Sequence, residues 1–300
     1  MSLIERAAGK LDKNNRSSKA TQMPLQEGDA SSSIPSSSKL LDSAPNPESG
    51  KDAETRGITH AAKRIEIDLD GLHDKGVVTP HHTKSLVAEQ FRLIKRPLLS
   101  NAFNENSGIK NGNLIMVTSS LAGEGKSFCS INLAMSIAME MDHRVLLVDA
   151  DVARPSIPRT LRFNPEMPGL LDIILDPKLA VSDVLIKTNV EKLTLIPAGA
   201  RHSHATELLA SQSMHAILEE LAQRYHDRVV IFDSPPLLLT SEARVLASQM
   251  GQIVLVVEAE RTTQQTVKEA LRQIEACDVI NLIYNKARAS HNAGYYGYYY

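Results

Sequence analysis

Leu114-Ile115-Met116-Val117-Thr118-Ser119-Ser120-Leu121-Ala122-Gly123-Glu124-Gly125-Lys126-Ser127 reads as a strand, a glycine-bearing loop and the opening of a helix. The strand is Leu114–Thr118, and the helical run continues apolar through Met139. Gly123 and Gly125 let the backbone curl so that its N–H groups face phosphate oxygens. The helix N-terminus adds the positive end of its dipole. Lys126 is placed to reach β- and γ-phosphates, and Ser127 to ligate Mg²⁺. The nucleotide-binding stretch is therefore Gly123, Glu124, Gly125, Lys126, Ser127 and Phe128. Ser120 departs from the strict phosphate-loop pattern, which has glycine there. The competing reading is a glycine turn that merely caps a helix.

Outward from this loop the chain alternates short apolar strands with helical stretches. Strands are expected at Val145–Val148, Leu193–Ile196, Val229–Phe232, Ile253–Val257 and Val279–Tyr284. Such alternation predicts an α/β fold, a largely parallel sheet with helices on both faces. Ligands of such sheets bind at the carboxyl ends of the strands. Two strands end in acids there. Val145 to Val148 runs into Asp149-Ala150-Asp151, and Val229 to Phe232 runs into Asp233-Ser234-Pro235-Pro236. Two carboxylates one residue apart repel each other, and a metal ion with a substrate hydroxyl would resolve that. Asp233 reads as a Walker B acid on Mg²⁺. A solvated acidic loop is the bland alternative.

Upstream, Thr83 to Arg96 forms a helical pattern with Leu86, Val87, Phe91 and Ile94 as its stripe, stopped by Pro97. Arg64-Ile65-Glu66-Ile67-Asp68-Leu69 alternates like an extended piece laid on the domain. Residues 1–61 are a polar arm rich in Ser, Asn, Lys, Asp and Pro, too poor in apolar surface to offset ordering entropy. Leu3 to Leu11 fits a short docking helix or a frayed terminus. The expected units are the arm 1–61, an extension 62–112, a phosphate-loop domain 113–288 and a tail 289–300.

A formal net charge of -2 argues against bulk electrostatic binding to nucleic acid. Two distant cysteines, Cys129 and Cys277, give no disulfide framework or metal spacing and read as buried thiols in a reducing cytoplasm. No apolar run of about 18 residues exists to cross a membrane, and the first residues lack a signal-peptide core. The tail is anomalous: five of the seven tyrosines, Tyr295, Tyr296, Tyr298, Tyr299 and Tyr300, stand in the last six residues. With Gly294 and Gly297 among them, they suit a mobile substrate segment, or else a sticky aromatic tail that binds a partner or membrane surface.

Ser-Ser-x-x-Gly-Glu-Gly-Lys-Ser, Asp-Ala-Asp-x-x-Arg-Pro, Asp-Ser-Pro-Pro and the tyrosine cluster together resemble the bacterial tyrosine kinases of exopolysaccharide and capsule export. These belong to the deviant Walker A group that includes partition and septum-positioning ATPases. The polar arm and the Asp-Val-Ala-Arg-Pro variant resemble the exosortase-associated autokinases. The resemblance implies ATP and Mg²⁺ as ligands, with Lys126, Asp149, Asp151 and Asp233 as catalytic residues. Ser127, Asp151 and Asp233 would complete the metal environment, and Asp149 would orient or deprotonate the tyrosine hydroxyl. Asn285 matches a position that recognises adenine. Glu89, Arg92 and Lys95 resemble the family's Glu-x-x-Arg-x-x-Arg oligomerisation motif, with lysine in the last place; without the resemblance these are a solvated helix face. Ala153 and Glu242 also depart, standing where relatives often have a basic residue and Asp.

The same resemblance implies phosphorylation of the tail between subunits of a ring-shaped assembly. It also implies a transmembrane polysaccharide co-polymerase as activator, a tyrosine phosphatase as antagonist, and a cytoplasmic location at the inner membrane through the membrane partner. Two readings compete with the kinase. One is a partition-type ATPase switch, whose members carry a loop lysine where this chain has Ser119-Ser120-Leu121. The other is a non-catalytic ATP-binding subunit of an export complex.

Overall fold

The computed structural model describes residues 63–288; the polar arm and the tyrosine tail lie outside the described residues. In chain order the first elements are β1 (Lys63–Arg64), α1 (Leu69–His73), α2 (Leu86–Phe103), β2 (Leu114–Ser119) and α3 (Lys126–Ala138). Next come β3 (Arg144–Asp149), α4 (Ile157–Leu161), α5 (Leu170–Leu175), α6 (Val181–Val184), β4 (Ile186–Lys187) and β5 (Leu193–Ile196). The chain continues through α7 (Ala205–Leu209), α8 (Gln212–Arg224), β6 (Arg228–Asp233), α9 (Ser241–Ala247), β7 (Gln252–Glu258), α10 (Gln264–Gln273) and β8 (Ile280–Asn285).

The strands form one eight-stranded sheet in the order β1-β4-β5-β3-β6-β2-β7-β8. Every neighbouring pair is parallel except β4 with β5. The central strands are buried on both faces, as a sheet sandwiched by helices requires. Side chains alternate cleanly between two apolar layers. Leu114, Met116, Leu146, Val148, Val230 and Phe232 join one layer with α5, α8 and α9. Ile115, Val117, Val145, Leu147, Val229 and Ile231 join the other with α2 and α3. Helix α3 lies inside that second layer and is buried from Cys129 to Ala138. Cys129 and Cys277 are both buried and unpaired.

One expectation about the upstream segment changes. Helix α2 starts at Leu86, capped by the Ser85 hydroxyl, which accepts from the Ala88 N–H at 3.1 Å. It then runs through Pro97 to Phe103 instead of stopping there. Proline has no N–H for the carbonyl four residues back. Pro97 and Leu93 both lie on the exposed side, so that gap falls on the solvent face. Leu98, 1% exposed, carries the helix onward against the core. The alternating piece before α1 is a strand only over Lys63–Arg64, paired with β4. It stays pinned farther along, where the Ile67 N–H donates to Asn189 Oδ1 and Asn189 Nδ2 donates back to the Ile67 carbonyl. Strand β4 was not foreseen, because two residues carry no readable period.

Candidate active site

The pleat decides where the acids go. On β3, Val145 and Leu147 face α3, so Asp149 does too. On β6, Val229 and Ile231 face α3, so Asp233 follows. The register sets Asp149 directly opposite Asp233. Both side chains are wholly buried. Asp151 lies two residues past the end of β3 and is also buried.

Helix α3 opens on Gly125 at φ 97°, a left-handed conformation that costs glycine little. Lys126 follows, and its Nζ lies 2.7 Å from Asp151 Oδ2 and 3.3 Å from Ser127 Oγ. Asp151 Oδ1 accepts from the Arg154 N–H at 3.1 Å. Asp233 Oδ1 accepts from Ser130 Oγ at 3.1 Å, and its Oδ2 from Ser156 Oγ at 3.4 Å. Asp149 Oδ2 accepts from the N–H groups of Ser156 and Ile157 at 3.1 and 3.0 Å. Asp149 Oδ1 is buried with no hydrogen-bond partner.

Three carboxylates thus surround one ammonium. Burial opposes the charge on Lys126, yet Asp233, Asp151 and Asp149 outweigh it and hold its pKa above the usual lysine value. Burial, then the neighbouring Asp233 charge, pushes the Asp149 carboxyl up to about 8, against the Ile157 N–H. Asp233 is also raised, chiefly by burial, with Lys126 opposing. The surplus of negative charge and the idle Asp149 oxygen both call for a cation or a proton donor. The donor set of Ser127, Asp151 and Asp233 is all hard oxygen, which fits Mg²⁺. Among the described residues, no group of three or more His, Cys, Asp and Glu is placed to hold a metal by itself. Magnesium tolerates that, since it retains water and substrate phosphate oxygens as ligands.

The loop is braced from β7 and β8. Glu124, expected among the nucleotide-binding residues, turns its carboxylate away into the fold and is 2% exposed. Its Oε2 accepts from the Leu121 N–H at 2.6 Å, and its Oε1 accepts from the Thr262 hydroxyl and, at 3.4 Å, from the Glu258 N–H. Any nucleotide contact from Glu124 is therefore left to its backbone. Asn285 Nδ2 donates to the Glu124 carbonyl at 2.9 Å. A Cβ on Gly125 would collide with that same amide nitrogen, so the close approach also requires glycine. Phe128 is half-buried and packs against the α3 layer.

Helix α2 presents the charge motif in an altered form. Arg92 pairs with Glu89 and donates to the Thr83 carbonyl, both on the surface. Lys95 is not on a solvated face: it is 4% exposed, with Nζ 2.6 Å from both the Ser136 carbonyl and Glu140 Oε1. Its charge is used to close the C-terminal end of α3. The tail tyrosines lie outside the described residues.

Ser130, Ser156 and Thr262 were missed in the sequence. Ser130 carried a usable signal, being four residues after Lys126 and so on the same helix face. Ser156 and Thr262 carried none, because loop closure brings them in.

A protein-family profile described as an AAA domain matches residues 112–285, more than half of the chain. The chain is 31% identical over 243 residues to CapB of Staphylococcus aureus, provisionally named a tyrosine-protein kinase. That match covers 80% of this chain and 98% of CapB. It is 29% identical over 227 residues to the tyrosine-protein kinase YwqD of Bacillus subtilis (strain 168), covering 74% of this chain and 92% of YwqD. Among solved structures, the BceF tyrosine kinase domain aligns with a TM-score of 0.58 at 26% identity. The alignment covers 74% of this chain and 91% of that one.

Proposed function

The chain belongs to the bacterial tyrosine-kinase family of P-loop proteins, and from that premise we infer that it is an ATP-dependent protein tyrosine kinase acting on its own C-terminal cluster. The acceptors are Tyr295, Tyr296, Tyr298, Tyr299 and Tyr300, entered from a neighbouring subunit. The observation that carries this reading is the unpartnered Asp149 Oδ1, buried beside Lys126, Asp151 and Asp233.

Phosphoryl transfer needs alignment and charge neutralisation more than covalent help from the protein. The N–H groups of the β2–α3 loop and the start of α3 hold the phosphates, with Lys126 toward the transferred group. Ser127, Asp151 and Asp233 would hold Mg²⁺ with the nucleotide, and the ion would supply the remaining positive charge. Asp149 takes the tyrosine proton. Burial and the Asp233 charge lift the Asp149 carboxyl above the ordinary aspartate range, toward a phenol of pKa near 10, and a cation bound beside it would favour the carboxylate that accepts the proton. Ser130 and Ser156 keep both oxygens of Asp233 oriented.

Subunit association through α2 rests on its exposed face, where Leu86 and Leu93 flank the Glu89–Arg92 pair. Regulation of exopolysaccharide export, a transmembrane co-polymerase as activator, a location at the inner membrane through it, and an opposing phosphatase complete the proposal. Among the described residues, no helix is long and apolar enough to cross a membrane.

The test is phosphotyrosine mapping after incubation with Mg-ATP, with Lys126→Met and a variant lacking residues 295–300 alongside. Tail phosphate that vanishes with Lys126→Met supports the kinase. Steady ATP hydrolysis without tyrosine modification, with or without the activator's cytoplasmic segment, would favour an ATPase switch.

A further inference from the structure

The end of β8 grips the phosphate loop at two consecutive carbonyls. Asn285 Nδ2 donates to the carbonyl of Glu124 at 2.9 Å. Lys286, the next residue, donates from Nζ to the carbonyl of Gly123 at 2.7 Å. The same ammonium lies 3.2 Å from Glu258 Oε1, which fixes it from the side of β7. Glu258 is itself tied to the loop, since its N–H donates to Glu124 Oε1. Lys286 holds a left-handed backbone, φ 58°, uncommon for a side chain of its kind. That turn brings its side chain back over the loop.

In a planar trans peptide the C=O and N–H point in opposite directions. A carbonyl pulled outward therefore aims the following N–H inward. Holding the Gly123 carbonyl outward points the Glu124 N–H into the loop's concavity, and holding the Glu124 carbonyl outward does the same for the Gly125 N–H. Those two donors belong to the nest that receives phosphate oxygens. The loop's own carboxylate cannot do this, because it has no hydrogen to offer a carbonyl; Glu124 instead accepts from Leu121, Thr262 and Glu258.

We propose that Lys286 is a positioning residue for the nucleotide phosphates, acting through the Gly123 carbonyl to aim the loop N–H groups. The proposal rests on the nucleotide-site reading above. Lys286 touches neither substrate nor reacting atoms; its effect is on the loop. It is half-exposed and surface-bound, so its loss should leave the core intact.

The experiment measures ADP and AMP affinity by displacement of a fluorescent nucleotide from the full chain in Mg²⁺. Wild type is compared with Lys286→Asn and Lys286→Arg, and each is checked by thermal melting. Asparagine tolerates the left-handed backbone but cannot reach Gly123, so the fold is kept and the brace is lost. The expected result is ADP binding weakened up to about tenfold, the scale of one oriented hydrogen bond, with AMP affected less. Lys286→Arg should recover much of the loss. Unchanged ADP binding in Lys286→Asn overturns the proposal. Equal weakening of ADP and AMP also overturns it, because a merely structural effect would not discriminate by phosphate number. A wild-type protein that binds no ADP would remove the nucleotide-site reading itself, and the proposal with it.

Discussion

Asp149 and Asp233 stand directly opposite each other on adjacent parallel strands, yet only Asp233 has both carboxylate oxygens engaged. One acid is locked by serine hydroxyls, and the other keeps a bare oxygen in a water-poor crevice. The division suits a metal-bound acid beside a proton-accepting one.

Asp149→Asn should therefore separate binding from chemistry. Asparagine keeps an oxygen for the Ser156 and Ile157 N–H groups but cannot take a proton. Tail phosphorylation should fall by roughly 100- to 10,000-fold, the usual reach of a positioned base. ATP affinity should stay within about threefold, because the role proposed for Asp149 is toward the tyrosine and not the nucleotide. Equal loss of affinity and rate would reassign Asp149 to nucleotide binding.

The metal-free protein should lose stability as pH rises. Asp149 has a folded pKa of about 8, raised by burial and by Asp233. An unfolded aspartate titrates near 4. Between those values the folded state binds a proton that the unfolded state has lost, so its stabilising share is complete below about 4 and is gone once pH passes about 8. Asp233, also raised, acts in the same direction. Thermal melts without Mg²⁺ or nucleotide should fall between pH 5 and pH 8, and Asp149→Asn should flatten that fall. A variant melting with the wild-type slope would count against the assignment.

Ser130→Ala should act through Asp233. It removes the hydroxyl that bridges the Lys126 carbonyl and Asp233 Oδ1, at 2.9 and 3.1 Å. Loss of a group that orients a metal ligand typically costs about 10- to 100-fold in metal affinity. The Mg²⁺ concentration for half-maximal phosphorylation should rise at least tenfold, while the maximal rate recovers at high Mg²⁺. A lowered rate that no Mg²⁺ concentration restores would refute this role.

Much of the sheet's carboxyl end was legible because it is local. Apolar runs closed by Asp149 and Asp233 announce strand ends, and period two then fixes which face the acids share. Gly125-Lys126-Ser127 at a strand-to-helix switch needs no tertiary information. What stayed hidden depends on closure of the chain. Thr262 meets Glu124 across 138 positions, and Lys286 meets Gly123 across 163. Pro97 misled because its missing hydrogen bond faces water, while Leu98 decides the helix by burial.

Lys95 shows the same limit. In sequence it completes a surface charge motif; in the fold it is buried against the end of α3, bound to the Ser136 carbonyl and to Glu140. Lys95→Ala leaves that carbonyl and carboxylate without their cation and opens a gap beside Phe91 and Leu98. Removing one partner of a fully buried pair costs about 3–5 kcal/mol. Glu140 is 39% exposed and can turn to water, so a smaller loss of about 2 kcal/mol is expected. Glu140→Gln should cost less than Lys95→Ala, because the Ser136 contact survives. The check is chemical denaturation of the isolated subunit at low concentration, with oligomer size measured by light scattering. Unchanged subunit stability with a smaller assembly would return Lys95 to the subunit interface; lowered stability at every concentration would keep it in the core.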